Sequence, residues 1–81
     1  MNYRKQLIEL AERFAAARKL SEARIANLAG RDGRFFTRMR EGKGCKVDTM
    51  LSTIQFFSNH WPTDAVWPAE IKRPAPSESA A

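Results

Sequence analysis

The two side chains with the most versatile chemistry, a cysteine thiol and a histidine imidazole, occur once each, as Cys45 and His60. One thiol and one imidazole cannot supply the four ligands of a structural zinc site, and a single cysteine cannot form an internal disulfide. The sequence also lacks a nucleophile paired with a base, so we expect no catalytic residues, no metal site and no cofactor. We interpret Cys45 as a small, semi-buried residue beside a turn, and His60 as a residue near the carboxyl end of the fourth helix, where it suits the negative end of the helix dipole.

Arginine and lysine are the other chemically informative residues, because both bind phosphate and similar anions. The sequence contains 14 Lys and Arg against 9 Asp and Glu, and twelve of those cations lie in residues 1–46. That part has a net charge of +7, whereas residues 47–81 have a net charge of −2. The asymmetry favours a polyanionic partner for the first part, although Arg34 and Arg38 taken alone would more commonly form a solvated helix face.

Length and composition describe one small domain. The 81 residues, of which 43% are hydrophobic and 28% charged, are too few for a second core. The apolar runs are only a few residues long, far short of the ~20 needed to cross a bilayer, and Met1–Lys5 leads into glutamates rather than a signal-type apolar stretch. We therefore expect a cytoplasmic protein with no membrane partner.

The period of the apolar residues predicts an all-α fold of four to five short helices. Ser21 is the predicted N-cap of the second helix, Gly30 ends it in the left-handed conformation, and Asp32 caps the third. The cap of the fourth helix stays open between Lys46 and Asp48. The predicted helices are Asn2–Leu20 with Asn2 as N-cap, Glu22–Ala29, roughly Gly33–Glu41, and about Val47–Asn59.

The C-terminal part has a different composition from the rest of the chain. All four prolines follow Trp61, so we expect no regular helix in residues 62–81, and Pro74–Ala81 has the composition of a disordered tail. The apolar residues of Trp61–Ile71 either fold back onto the helices or cover a partner subunit, and the sequence leaves both open. We divide the chain into a helical domain, residues 1–61, and this C-terminal segment.

Ala26, Gly30 and Phe36 have the spacing of a helix-turn-helix, in which two short helices are joined by a tight connection. This motif needs a small residue where the helices meet, a glycine at the turn and an apolar residue that anchors the second helix. With these residues the chain resembles the helix-turn-helix domains of the lambda-repressor-like superfamily (Cro/C1-type, XRE-like), particularly small prophage-type proteins, over roughly residues 3–62.

Three segments carry the resemblance: Ser21–Ile25, Asp32–Phe36 and Phe56–Pro62. The chain departs from many relatives in having the bulkier Phe36 where they have Val, Ile or Leu. It also has two glycines in the turn, Gly30 and Gly33.

The resemblance implies that the third helix lies in the major groove of double-stranded DNA, while the first two helices face the phosphate backbone. Asp32 and Glu41 would cap and orient the arginines, and Phe35, Phe36 and Met39 would point inward. The implied base-reading residues are Arg34, Thr37 and Arg38. The implied backbone contacts are Ser21, Arg24, Arg31, Gly33, Lys43 and Lys46.

We therefore expect a sequence-specific, nucleoid-associated transcriptional regulator that acts as a repressor. Useful affinity would require a homodimer on a palindromic operator, with the fourth helix and Trp61–Ile71 as the dimer surface. Two alternatives stay open. One is a protein-interaction adaptor or antitoxin-like module that uses the C-terminal segment, with DNA binding secondary, and the other is a nonspecific architectural DNA-binding protein.

Overall fold

The computed structural model describes residues 3–76, which form four α-helices and no strand. The all-α prediction is therefore confirmed for this part of the chain. Within the same residues, no helix is long and apolar enough to span a membrane. The predicted N-cap Asn2 and the last five residues of the predicted tail lie outside the described range. The helices are α1 (Tyr3–Arg18), α2 (Glu22–Leu28), α3 (Phe35–Arg40) and α4 (Val47–His60).

The helix α1 packs against each of the other three helices, and α2 also packs against α3. The three-and-four spacing of its apolar residues explains this position, because Leu7, Leu10 and Phe14 all face the core and are buried. The helix ends at Arg18, two residues before the predicted end, because Lys19 adopts a left-handed φ of 56°.

The predicted start and stop signals of α2 are confirmed. The Ser21 hydroxyl accepts a hydrogen bond from the amide of Arg24 at 3.1 Å, as an N-cap does. At the other end Gly30 has a φ of 78°, and the Arg31 amide donates to the Ala26 carbonyl at 2.8 Å. The side chain of Ala26 is fully buried, as the helix-turn-helix interpretation requires.

The helix α3 runs from Phe35 to Arg40, so the predicted range, roughly Gly33–Glu41, begins two residues too early and ends one residue too late. At the start, the Asp32 carboxylate accepts from the Arg34 amide at 2.8 Å, and the Asp32 carbonyl accepts from the Phe35 amide at 2.9 Å. These two bonds form a turn that delays the helix until Phe35. At the other end, Gly42 takes a left-handed φ of 94° and stops the helix.

The helix α4 begins at Val47 as predicted and extends one residue beyond the predicted Asn59. Lys46 occupies the N-cap position without a side-chain capping bond, and Asp48 lies in the first turn. Asp48 is therefore a first-turn anion rather than the cap, a position that the helix dipole favours.

Aromatic rings connect α3 and α4 to the centre of the core. The Phe14 ring meets Phe57 edge to face at 5.5 Å, and the Phe36 ring is tilted against Phe57 at 6.0 Å. Such pairs contribute about 0.5 to 1.5 kcal/mol beyond the burial of their area. Phe36 thus connects α3, only six residues long, to Phe57 of α4, which in turn packs against Phe14 of α1.

Residues 62–76, here called the strap, fold back onto the helices of their own chain. Trp61 is only 8% exposed and Ile71 only 4% exposed. The indole rings of Trp61 and Trp67 meet edge to face, with their centroids 4.9 Å apart. Each indole N–H is satisfied within the strap, the first by the Ala65 carbonyl at 2.9 Å and the second by the Ile71 carbonyl at 2.7 Å. Trp61 and Ile71 are therefore covered by their own chain, which is the first of the two alternatives that the sequence left open, while a dimer surface on α4 and this segment stays a prediction.

The end of the strap is also tied down. The Ser58 hydroxyl donates to the Pro74 carbonyl, and the Gln55 amide donates to the Ala75 carbonyl at 2.9 Å. The expectation of a disordered tail beginning at Pro74 is therefore wrong for residues 74–76, because polar side chains of α4 hold their backbone.

Candidate nucleic-acid interface

The two sides of α3 have opposite environments. Phe36 and Met39 are 1% and 4% exposed and face the core, whereas Thr37 and Arg38 are exposed to solvent. Phe35, which was also expected to point inward, is half-buried, with its ring edge against Phe36 at 5.1 Å. The predicted base-reading residues of α3 therefore lie on the side that is free to meet a ligand.

Arg34 immediately precedes α3 and is exposed as well. Within residues 3–76, the guanidinium groups of Arg34 and Arg38 have no hydrogen-bond or ion-pair partner. The expectation that Asp32 and Glu41 orient these arginines is wrong. The Asp32 carboxylate binds the backbone amide of Arg34, and Glu41 makes no side-chain bond in this part of the chain.

Three cations meet beside α3 in what we call the basic depression. Arg38, Lys43 and Lys46, together with Thr49, line a concavity of about 470 Å³, and no described carboxylate lines it. The loop that carries the lysines is held in place by the Lys43 amide, which donates to the Arg38 carbonyl at 3.0 Å. An anion bound here would meet positive charge without having to displace an internal counter-ion.

The same loop is secured from α1. The Arg4 guanidinium donates to the Gly42 carbonyl at 2.9 Å, directly after the carboxyl end of α3. Because this bond joins residues far apart in the sequence, it positions the basic depression relative to the first helix. Arg4 thus has a structural role that its place among the N-terminal cations did not reveal.

Arg31 was predicted to contact phosphate, but its guanidinium is directed toward α4, where it donates to the Ser52 hydroxyl. Its Nε is buried and has no partner among residues 3–76. Gly33, another predicted backbone contact, lies against α2: a Cβ at this position would be 3.7 Å from the Ala23 Cβ and 3.8 Å from the Asn27 Oδ1. Both residues therefore contact their own chain, and neither belongs to the freely exposed set.

The start of α2 carries the other two predicted backbone contacts. Ser21 and Arg24 are exposed, and the Ser21 hydroxyl already serves as the cap of the helix. The Arg24 side chain has no partner within the described range. Neither residue lines the basic depression, so of the predicted site the structure brings together only Arg38, Lys43 and Lys46.

Sequence reasoning missed Arg40. Its Nη2 donates to the Glu22 Oε2 at 2.7 Å and to the Glu12 Oε2 at 3.0 Å, and its Nη1 donates to the second oxygen of Glu22. The hydrogen bonds to Glu22 raise the pKa of Arg40 above its usual range, with Glu12 adding to the effect and desolvation opposing it. One side chain thus joins α3 to both α1 and α2.

Cys45 is exposed rather than semi-buried, so that interpretation is wrong. Although the residue as a whole is exposed, desolvation of its sulfur between the two concavities that it lines raises the pKa of Cys45, and the positive charge of Arg31 opposes this only in part. A raised pKa lowers the thiolate fraction and hence the reactivity of the thiol. His60 is the last residue of α4, as expected, and its ring lies 4.8 Å from Phe56.

No cluster of three or more His, Cys, Asp or Glu in residues 3–76 has the arrangement of a metal site.

Comparison of the chain with known protein families, with curated proteins and with solved structures finds no match.

Proposed function

We propose that this protein binds double-stranded DNA in a sequence-specific manner through a helix-turn-helix formed by α2 and α3, and that it represses transcription. One observation carries the proposal. The exposed side of α3 presents Arg38 and Thr37, with Arg34 just before the helix, while Phe36 fixes the opposite side in the core. Guanidinium groups that have no partner in residues 3–76 thus lie on and just before a helix whose opposite side is anchored in the core.

The chemistry of these side chains suits the major groove. An unpaired guanidinium donates two parallel hydrogen bonds to O6 and N7 of guanine, which discriminates between bases by about 1 to 3 kcal/mol. Arg34 and Arg38 are four positions apart and so lie toward the same side of the chain. Thr37 between them offers a methyl group to thymine and a hydroxyl to a base edge or a phosphate.

The basic depression supplies the contacts with the phosphate backbone, in addition to the base contacts of α3. Lys43 and Lys46 are point charges suited to phosphate, and they lie next to Arg38 at the end of the same helix. Arg24 on α2 provides a further cation whose side chain has no partner in the part of the chain that the structure describes. Contacts of this kind set the register of the protein on the duplex, and each neutralised phosphate adds about 0.9 to the logarithmic salt slope.

Repression is the simplest regulatory outcome, since occupation of a promoter by a small domain excludes other proteins. One such domain on one half-site buries little surface, so we propose that two copies bind a palindromic operator with centres about 34 Å apart. This geometry makes the operator two-fold symmetric.

Selection from a random-sequence duplex library at ~0.15 M salt tests the proposal. We expect the bound pool to be enriched in a two-fold symmetric site. The double variant Arg34→Ala/Arg38→Ala should lose that enrichment while it keeps the thermal stability of the wild type, because both side chains are exposed and unpaired in residues 3–76.

The matched control removes two positive charges elsewhere. Lys5→Gln/Arg13→Gln changes the surface of α1 that also carries Glu9 and Glu12, so it should select the wild-type site. Because Arg13 pairs with Glu9 and donates to the Val66 carbonyl, thermal unfolding checks that this variant keeps its fold. Equal binding to every sequence would identify a nonspecific DNA-binding protein instead. An unchanged site in the Arg34→Ala/Arg38→Ala variant would show that α3 does not read the DNA.

A further inference from the structure

A continuous apolar surface of the described chain lies outside the candidate DNA interface. Tyr3, Val47 and Leu51 remain 48%, 65% and 54% exposed, although α1 and α4 bury their neighbouring residues. Tyr3 and Leu51 line a groove of about 420 Å³ between the start of α1, the middle of α4 and Ile71 of the strap. Tyr3 and Val47 line a second concavity of about 380 Å³ beside the first. We call this surface, with both concavities, the apolar groove.

Two charges of opposite sign lie on the rim of the apolar groove. Glu70 and Lys72 are exposed on the strap, on either side of the buried Ile71, and have no partner within residues 3–76. In a two-fold symmetric contact, residue i of one copy meets residue j of the other, and the reverse contact repeats. One acid and one base beside an apolar centre thus form a self-complementary surface.

The apolar groove also adjoins the basic depression. Val47 directly follows Lys46, and Cys45 lines both the basic depression and the concavity that contains Tyr3 and Val47. A two-fold axis through the apolar groove would therefore place the two basic depressions on either side of that axis. This is the arrangement that two copies need in order to reach two half-sites on one side of a duplex.

From these observations we propose that the apolar groove binds a second copy of this chain, with Leu51 at the centre of the contact and Glu70 of each copy beside Lys72 of the other. The inference rests on the proposed function for its orientation toward DNA, but the contact itself needs no DNA. The other exposed apolar side chains, Leu28 on α2 and Val66 on the strap, lie on separate elements and line no part of the groove.

Sedimentation equilibrium of the full chain without DNA tests the contact. The wild type should form a dimer at concentrations up to about 1 mM, the affinity range of a small interface. Leu51→Glu should weaken the dimer at least about tenfold, because it places a charge at the centre of the contact. Leu28→Glu is the matched control and should leave the association unchanged. Thermal unfolding checks that both variants fold, as their exposure leads us to expect.

Charge reversal tests whether Glu70 of one copy lies beside Lys72 of the other in the dimer. Glu70→Lys and Lys72→Glu should each weaken the dimer, because each creates two like-charge contacts across the axis. The double variant Glu70→Lys/Lys72→Glu should restore the dimer, and an equimolar mixture of the two single variants should associate more tightly than either alone. A wild type that stays monomeric at about 1 mM, or a Leu51→Glu variant that dimerises normally, would overturn the proposal. So would a double reversal that rescues nothing.

Failure here is distinguishable from failure of the proposed function. A monomeric protein that still enriches a single half-site from the duplex library would overturn only the dimer surface. A protein that dimerises through the apolar groove and enriches no sequence would overturn only the DNA-binding proposal.

Discussion

Arg38 and Arg40 stand two residues apart on α3 and have opposite environments. The Arg40 guanidinium is held by Glu12 of α1 and Glu22 of α2, whereas the Arg38 guanidinium has no partner in residues 3–76 and lines the basic depression. Two positions along an α-helix correspond to a rotation of roughly 200°, so the two side chains leave opposite sides of the helix. Arg40 fixes α3 in place, and Arg38 stays available to a ligand.

The other cations of residues 1–46 also divide into side chains bound to their own chain and side chains available to a ligand. Their net charge of +7 overstates what a polyanion would meet, because several of them already bind acceptors of their own chain. The cations bound internally are Arg4, Arg13, Arg18, Arg31 and Arg40. The cations without a side-chain partner in residues 3–76 include Arg24, Arg34, Arg38, Lys43 and Lys46.

The largest effect should come from the buried side of α3. Phe36→Ala removes a ring packed between Phe35 and Phe57 and should lower the free energy of unfolding by about 3 to 5 kcal/mol. The neighbouring Thr37→Ala, on the exposed side, should change it by no more than about 0.5 kcal/mol. Urea denaturation measures both. Equal losses would contradict the assignment of the two sides of α3.

Arg38→Ala should reduce the discrimination between the selected duplex and a scrambled duplex by about 1 to 3 kcal/mol, or roughly 5-fold to 150-fold. Arg38→Lys keeps the charge but loses the paired donors, so it should retain affinity for the scrambled duplex and lose the discrimination. Fluorescence anisotropy titrations measure these affinities. If Arg38→Lys discriminated as well as the wild type, Arg38 would be a phosphate contact and not a base-reading residue.

Arg40→Ala should lower the free energy of unfolding by about 1 kcal/mol, a modest value because its side chain is 38% exposed. A double-mutant cycle with Glu22→Gln isolates the pair, and the double variant should be less destabilised than the sum of the two single variants. Additive effects would mean that the ion pair does not contribute to holding α3. The discrimination between duplexes should change far less than in Arg38→Ala.

The smallest effect should come from the basic depression. Lys43→Ala should weaken binding to the selected and the scrambled duplex by the same factor, because a phosphate contact carries no sequence information. It should also lower the logarithmic salt slope by about 0.9. Affinities measured at several salt concentrations give that slope. A selective loss for one duplex would contradict the role assigned to Lys43.

Local signals made much of this fold predictable. The period of the apolar residues predicted the bounds of α1 and α4 to within two residues of the observed ones, at the helix ends that the structure describes. Ser21 and Gly30 predicted the two ends of α2, because each acts on the backbone beside it in the sequence. The start of α3 was misplaced because a turn at Asp32 competes with the helix for the same amides.

The candidate site was predictable only in part. Residues within one helix, such as Thr37 and Arg38, could be assigned to its exposed side from their spacing in the sequence. The bonds of Arg40 to Glu12 and of Arg31 to Ser52 join residues more than twenty positions apart, and no local pattern announces them. These tertiary contacts decide which cations are free, so the sequence alone overestimated the phosphate-binding set.

The surface that contacts DNA can be located by titrating isotope-labelled protein with a duplex and following the backbone amide and arginine side-chain signals by NMR. We expect the largest shifts at Arg34, Thr37, Arg38 and the loop of Lys43 and Lys46, with small shifts in the strap. We also expect the Arg40 side chain to keep its contacts with Glu12 and Glu22. Shifts centred on the strap, with α3 unaffected, would contradict the assignment of α3 as the DNA-reading helix.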